Sequence, residues 1–220
     1  MTMYNTKKGQ SAIKSNEWNK FLKSRRREIS NQKDSLIPKL EKGLKSRGAT
    51  YIDDELIINA NVDRIELSEF IIHFFKCCKI TEERLVLFDL LIQLKYEKTA
   101  EMLINEFLNY DYDRWAIGDF LYATANVKYI NRYIEIAQNK SYGTSRQMVI
   151  LIFGKLKYYP SINLLIELLN DEDVFGHALN SLSKIASQDY CSYFVPFVDC
   201  KYKWVSKIAN RFLKKYDSKK

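Results

Sequence analysis

Hydrophobic residues recur along the second half of the chain with the spacing of an amphipathic helix. In DEDVFGHALNSLSKIA, residues 171–186, an acidic turn precedes one apolar stripe formed by Val174, Ala178, Leu179, Leu182 and Ile185. The segment INLLIELLN, residues 162–170, lies immediately before it and has an apolar stripe of its own. The pattern predicts two helices joined by a short acidic turn, with the small residue Ala178 at the centre of the second buried face.

The same pair of helices recurs about every 31 residues. Equivalent apolar pairs follow one another at steps of 30, 32, 30 and 31 residues: Val86/Leu90, Ala116/Phe120, Met148/Ile152, Ala178/Leu182 and Ala209/Leu213. Other apolar segments lie between or beside these pairs, at 102–108, 129–137, 162–169 and 193–198. Repeats of this size cannot bury their apolar faces alone, so the period predicts a stack of helical hairpins.

One copy of the repeat carries a resemblance to a known family. LLIELLNDEDVFGHALNSLSKI resembles a HEAT repeat, in which a leucine-rich first helix is followed by an Asp turn, a Val and an Ala four residues later. The resemblance covers roughly residues 81–216 and is strongest at 161–186. It implies an all-α, right-handed α-solenoid of about five HEAT-like units, and it does not specify a function. In this register Ser181 lies beside the buried face and is expected to tolerate a larger side chain.

The period fades before residue 81. Helices are predicted over 35–46, where Pro38 is tolerated in the first turn, and over 63–79. Residues 49–63 fit either a short helix or an extended insertion. We expect residues 1–34, polar and basic, to form a mobile extension or a helix that docks through Trp18, Phe21 and Leu22. The predicted organisation is this extension, a solenoid over 35–216 and a basic tail over 217–220.

The composition narrows the class of protein. Only 7 Gly and 3 Pro occur in 220 residues, which favours numerous helices. The chain has no apolar run near the ~18 residues of a membrane span, and its N-terminus lacks the apolar stretch of a secretory signal. Cys77 and Cys78 lie in an apolar run and are expected to be buried thiols. These features predict a cytoplasmic protein without a membrane segment or cofactor, and a monomer.

The net charge of +8 favours binding to polyanions, such as nucleic acid or an acidic protein surface. Two residues before each core position of the second helices the chain has Arg84, Arg114, Arg146, Gly176 and Lys207, which we call the basic column. Stacked helices would bring these side chains about 10 Å apart, so the column could follow a phosphate backbone or an acidic partner. Alternatively, its arginines pair with turn carboxylates such as Asp171 and Asp173 inside the repeat, and this interpretation is favoured.

A second candidate site is the stripe formed by Trp115, Asp119 and Tyr122. Their i, i+4, i+7 spacing puts them on one side of a helix, with Arg146 in the next unit. The set resembles the cleft of bacterial alkylpurine DNA glycosylases built of HEAT-like repeats. That resemblance implies that Trp115 contacts the lesion, Asp119 stabilises positive charge on the sugar and Arg146 holds a phosphate. The Asp-to-Arg separation of 27 residues, less than one repeat, departs from it.

Other chemistry has little support in the sequence. His177, beside Ala178, is grouped with the candidate binding residues, but two histidines 104 residues apart are a weak signal for a metal or for acid–base catalysis. GxxxxGK[ST], GxGxxG and GxSxG are absent. The function predicted is a non-catalytic scaffold of the adaptor or inhibitor type, which binds a protein partner through its concave face. The alternative is a nucleic-acid-binding protein, with or without base-excision chemistry at Asp119.

Overall fold

A computed structural model describes residues 35–52, 55–78, 81–111 and 113–217. The protein is predominantly helical, as the sequence predicts, and the described chain divides into two compact units, Met1–Glu106 and Phe107–Lys220. The extension over 1–34, with Trp18, Phe21 and Leu22, lies outside the described residues, as do the last three residues of the tail.

The N-terminal unit combines helices with one small hairpin. Its elements are α1 (Ile37–Ser46), β1 (Ala49–Ile52), β2 (Glu55–Ile58), α2 (Arg64–Cys77), α3 (Thr81–Gln93) and most of α4 (Thr99–Asn109). Both helices predicted before residue 81 are confirmed. The ambiguous segment contains a two-stranded antiparallel sheet in which Tyr51 faces Leu56. The Tyr51 hydroxyl donates to Asp89 on α3 at 2.9 Å, which anchors the hairpin.

Polar side chains at the helix starts hold this unit together. The carboxylate of Asp63 accepts a hydrogen bond from the amide of Ile65 and caps the start of α2. The buried Glu83, on α3, accepts a hydrogen bond from the amide of Leu36, just before the start of α1. The expected burial of the thiols is wrong: Cys77 is exposed and Cys78 is half-buried. The buried stripe of α2 is Leu67, Ser68, Ile71 and Phe75. Cys77 lies two positions after Phe75, on another side of the helix.

The C-terminal unit consists of helices joined by short turns and 3₁₀ segments. Its helices are α5 (Arg114–Ala123), α6 (Ile130–Gln138), α7 (Gln147–Lys155), α8 (Ile162–Glu167), α9 (Phe175–Ile185) and α10 (Lys203–Asp217). The apolar segment 193–198 is not an α-helix; it overlaps the 3₁₀ segments Gln188–Tyr193 and Val195–Phe197, and its remaining residues are turns. Pro196 has no N–H to donate, and a run this short does not sustain an α-helix against it.

The second helices of the predicted hairpins pack in chain order. Helix α5 lies against α7, α7 against α9 and α9 against α10, while α6 packs on α7 and α8 on α9. All five predicted pairs are buried except Leu213, which is half-buried because its neighbour Phe212 turns inward and stacks on Phe194 at 3.8 Å. The hydrophobic register of the second helices is therefore confirmed at nine of the ten positions.

Ser181 occupies a tighter place than the sequence suggests. It is completely buried, and its hydroxyl donates to the carbonyl of Ile150 on α7 at 2.8 Å. A Cβ atom added to Gly154 would lie 2.8 Å from Ser181 Cα, so the backbones of α7 and α9 approach closely here. The expectation that Ser181 tolerates a larger side chain is wrong, because small residues on both helices are what permit this approach.

Candidate functional site

Arg146, in the basic column, is completely buried. Its three guanidinium nitrogens all have intramolecular acceptors: Nε donates to the carbonyl of Gly143, NH1 to that of Ala137 and NH2 to Asp171 Oδ2, at 3.0, 3.0 and 2.9 Å. Asp173 lies 3.9 Å from NH2. The side chain thus joins the end of α6 to the turn before α9, which is the internal pairing that the sequence analysis favoured.

The other two arginines of the column also bind within their own units. Arg84 forms a two-pronged ion pair with Glu106, which is buried, and the second of these bonds, NH2 to Oε2, measures 2.7 Å. In the C-terminal unit, half-buried Arg114 donates from Nε to the carbonyl of Phe107 at 2.9 Å, and its guanidinium lies 4.9 Å from the centre of the Tyr142 ring. Arg84 therefore links α3 to the following helix α4, and Arg114 links the start of α5 to the end of α4.

The remaining members of the column differ in their surroundings. Gly176 leaves room for an aromatic ring: a Cβ atom there would lie 2.3 Å from Cη2 of Trp204. His177 packs against the same ring with centroids 5.3 Å apart, and burial lowers its pKa to about 4. Lys207 on α10 is exposed. The basic column is therefore interrupted because Trp204 occupies the position where an arginine side chain would leave the helix.

The stripe Trp115, Asp119 and Tyr122 lies on α5 as predicted, but its central residue is inaccessible. Trp115 and Tyr122 are half-buried, whereas Asp119 is 2% exposed. The preceding residue, Gly118, explains this burial. A Cβ atom there would lie 3.3 Å from the carbonyl oxygen of Ser145 and 3.4 Å from Cβ of Met148, so α5 and the start of α7 nearly touch.

One oxygen of the Asp119 carboxyl group has, in the described part of the chain, no hydrogen-bond donor to offset its burial. Its Oδ1 atom is buried and has no hydrogen-bond partner among the described residues, and burial raises the pKa of the group to about 7. A buried carboxylate without donors is costly, so the protonated form is favoured over a wide pH range. Chemically the group can hold or release a proton near neutral pH. It contacts no solvent-filled cleft that the structure describes.

The set implied by the glycosylase resemblance is only partly assembled. Trp115 and Tyr122 flank Asp119 on one helix, but Arg146 directs its guanidinium to Asp171 and to carbonyls of its own hairpin. No nitrogen of that guanidinium remains without an acceptor to hold a phosphate. The sequence spacing could not reveal this, because it does not specify the direction in which an arginine side chain leaves its helix.

A row of lysines and tyrosines, absent from the sequence prediction, lies where the second helices of the C-terminal unit end. Lys155 at the end of α7 donates to the carbonyl of Ala123 at the end of α5 at 3.0 Å. The Lys184 stem lies over Gly154, and the Tyr216 hydroxyl donates to the carbonyl of Ala186 at 3.3 Å. The C-terminal ends of α5, α7, α9 and α10 therefore follow one another along one edge.

We call this row the lysine–tyrosine edge. Its members are Lys128, Lys155, Lys157, Lys184 and Lys215 together with Tyr122, Tyr129, Tyr159, Tyr190, Tyr193 and Tyr216. All five lysines are exposed, and none forms an ion pair with a carboxylate in the described part of the chain. Burial of their stems nevertheless lowers the pKa of Lys155 and Lys184. The sequence signal for the edge is a lysine in the last turn of α7 and of α9. Lysine is common at this position in any helix, because its charge interacts favourably with the helix dipole.

A further concave surface lies beside α8. This open groove has a volume of about 330 Å³ and is lined by Gln138, Lys140, Leu164, Glu167, Leu168, Asn170 and Asp171. Among the described residues, no three His, Cys, Asp or Glu side chains lie close enough to share a metal ion. No helix within the described ranges has the length and apolar character needed to cross a membrane.

The chain matches no protein-family model, no curated protein and no solved structure.

Proposed function

We propose that the protein is a non-catalytic scaffold of HEAT-like helical hairpins that binds another protein. In this proposal residues 35–216 form a right-handed stack, and the partner meets the surface of the second helices, the concave side of such a stack. The chain-order packing of α5, α7, α9 and α10 supports it, because each helix buries equivalent residues about 31 positions apart.

The observation that carries the proposal is the burial of Arg146. Protein binding and phosphate binding require different things of the basic column. Phosphate binding requires exposed cations, whereas in a protein-binding scaffold the arginines can be buried and bind the turns between helices. Arg146 is 0% exposed and ion-paired with Asp171, and Arg84 is paired with Glu106. Two of the four cations on which the nucleic-acid interpretation depended are thus ion-paired within the fold, which favours a protein partner.

Affinity capture from the native source tests the proposal. The full chain is used as bait with and without nuclease, and bound proteins are fixed by cross-linking before identification. We expect a protein partner recovered in equal amount after nuclease, which binds the purified chain directly in a titration. Recovery of nucleic acid alone, or of proteins that disappear with nuclease, would contradict a protein-binding scaffold.

Nucleic-acid binding is the second candidate, supported by the net charge of +8 and the five exposed lysines of the edge. Base-excision chemistry would in addition require Asp119 to reach a nucleotide, although its side chain is 2% exposed. Incubating alkylated DNA with the parent and with Asp119→Asn distinguishes these ideas. Base release by the parent that the substitution abolishes would establish the enzymatic alternative, and we expect no release from either.

A further inference from the structure

We propose that the lysine–tyrosine edge is the docking surface for the protein partner, and that it binds an extended acidic segment of that partner. The inference rests on the proposed function and specifies the part of the second helices that the partner contacts. It depends on three observations: the balance of charge along the edge, the spacing of the helix ends, and the contacts and exposure of the tyrosine rings.

The edge carries positive charge that the described residues leave uncompensated. Its five lysines are exposed and have no ion-pair partner there, and Asp189, five residues after Lys184, accepts a hydrogen bond from the hydroxyl of Ser187 at 3.0 Å. Partial burial lowers the pKa of Lys155 and of Lys184, which is a cost to the charged form of each, and no carboxylate of the described residues forms an ion pair with either. A carboxylate brought to the edge would offset both costs, so charge complementarity selects an acidic partner.

The spacing of the helix ends fits an extended chain. Packed helices lie about 8–10 Å apart, so the C-terminal ends of α7, α9 and α10 recur at about that distance. An extended peptide in the polyproline II conformation has three residues per turn and rises about 3.1 Å per residue, so side chains three residues apart lie on the same side and are separated by about 9 Å. A segment with an acidic residue at every third position therefore places successive carboxylates beside successive helix ends.

Three of the tyrosine rings of the edge already have a lysine ammonium group over one face. The ammonium groups of Lys155, Lys128 and Lys215 lie 4.7, 5.3 and 4.8 Å from the ring centres of Tyr122, Tyr129 and Tyr216. Base stacking requires an open ring face, and one face of each of these rings already holds a cation. The ammonium groups of these lysines have three N–H donors each and can still donate to a carboxylate, although the Tyr216 hydroxyl already donates to the carbonyl of Ala186.

Exposed aromatic rings supply the apolar part of the surface. Tyr159 is 59% exposed and Tyr193 is 40% exposed, and both follow the end of a second helix. Tyrosine is effective as an interface anchor because its ring buries a large area at a small cost in side-chain entropy. The two rings would contact the peptide between its acidic residues.

Fluorescence anisotropy with the full chain tests the inference. The probe is a labelled peptide of roughly twelve residues, long enough at about 3.1 Å per residue to cross four helix ends, with Glu at every third position between Gly and Ser. Its matched control has Gln in place of Glu, and a single-stranded oligonucleotide of equal charge is the third probe. The edge variant combines Lys128→Glu, Lys157→Glu and Lys215→Glu, three exposed lysines whose ammonium groups form no hydrogen bond to a described residue.

A charge-matched variant separates the edge from net charge. Lys140→Glu, Lys201→Glu and Lys203→Glu change three exposed lysines elsewhere in the same unit. We expect the Glu peptide to bind the parent more tightly at low salt than at high salt, and the edge variant to weaken that binding at least about tenfold. The control variant should change the Kd less than about twofold, and circular dichroism should show that both variants fold.

Several results would overturn the inference. Equal affinity of the two variants, no binding of the Glu peptide, or binding of the Gln peptide with the same Kd would each exclude an acidic segment at the edge. An oligonucleotide that binds at least about tenfold more tightly than the peptide, and loses this affinity in the edge variant, would assign the edge to nucleic acid. Retention of a nuclease-resistant protein partner by the edge variant would reject this docking surface and leave the proposed function standing. Absence of any such partner from the native source would overturn both.

Discussion

Replacing Asp119 by Asn should make the stability of the protein less dependent on pH. Asp119 is buried between α5 and the start of α7, its Oδ1 atom lacks a partner among the described residues, and its pKa is raised from 3.8 to about 7. Asparagine has nearly the same shape and does not ionise. The parent and the variant therefore differ mainly in the free energy of burying a charge.

The direction of the effect follows from proton binding. Between about pH 4 and pH 7 the folded parent holds a proton on Asp119 that the unfolded chain has released, so folding becomes less favourable as the pH rises. The favourable contribution is fully present below pH 3.8 and is lost as the pH passes the folded pKa of about 7. A shift of about three pH units corresponds to about 4 kcal/mol, which is the upper bound for this change.

Urea unfolding of parent and variant at several pH values from 4 to 8, followed by tryptophan fluorescence, measures the difference. We expect Asp119→Asn to gain stability relative to the parent by about 2–4 kcal/mol between the two ends of this range. Because the other carboxylates are present in both proteins, their contribution to the pH dependence cancels in the difference between parent and variant. The control is Asp189→Asn, an exposed position in the same unit, whose difference from the parent should stay constant. A constant difference for Asp119→Asn as well would show that its carboxyl group is hydrated in the folded protein.

Three further predictions concern packing and are checked by thermal unfolding with circular dichroism. Arg146→Gln should cost about 3–5 kcal/mol, because it leaves Asp171, the buried carbonyl of Ala137 and the half-buried carbonyl of Gly143 without their donor. Arg114→Gln should cost about 1 kcal/mol, and equal losses would contradict the difference in burial. Ala178→Leu and Ser181→Leu should each cost about 1–3 kcal/mol because both positions are completely buried, and a neutral Ser181→Leu would show that α7 and α9 can separate. Gly176→Ala should cost about 1–3 kcal/mol and alter the fluorescence of Trp204, since the new methyl group would lie 2.3 Å from that ring; an unchanged melting temperature and spectrum would mean that the ring can move.

The hydrophobic pattern by itself determined the helical class and the register of the second helices. The burial of Val86, Ala116, Met148, Ala178 and Ala209 could be predicted because an α-helix repeats every 3.6 residues and one side must be apolar to be buried. The helices at 35–46 and 63–79 were predictable for the same reason. The β-hairpin at 49–58 was not, because it depends on contacts far along the chain, such as the bond from Tyr51 to Asp89.

Only the tertiary structure decided what the polar side chains do. The sequence predicted correctly that Arg146 could pair with turn carboxylates, but its burial and its carbonyl acceptors depend on how the hairpin turns back. Ser181 and Asp119 have polar side chains that sequence reasoning places near the surface, and both are buried because a neighbouring helix approaches closely. The lysine–tyrosine edge is assembled from segments about 30 residues apart, which become neighbours only when the second helices pack side by side. A sequence pattern specifies which face of a helix is buried, whereas the partner and the distance across that face are properties of the packed structure.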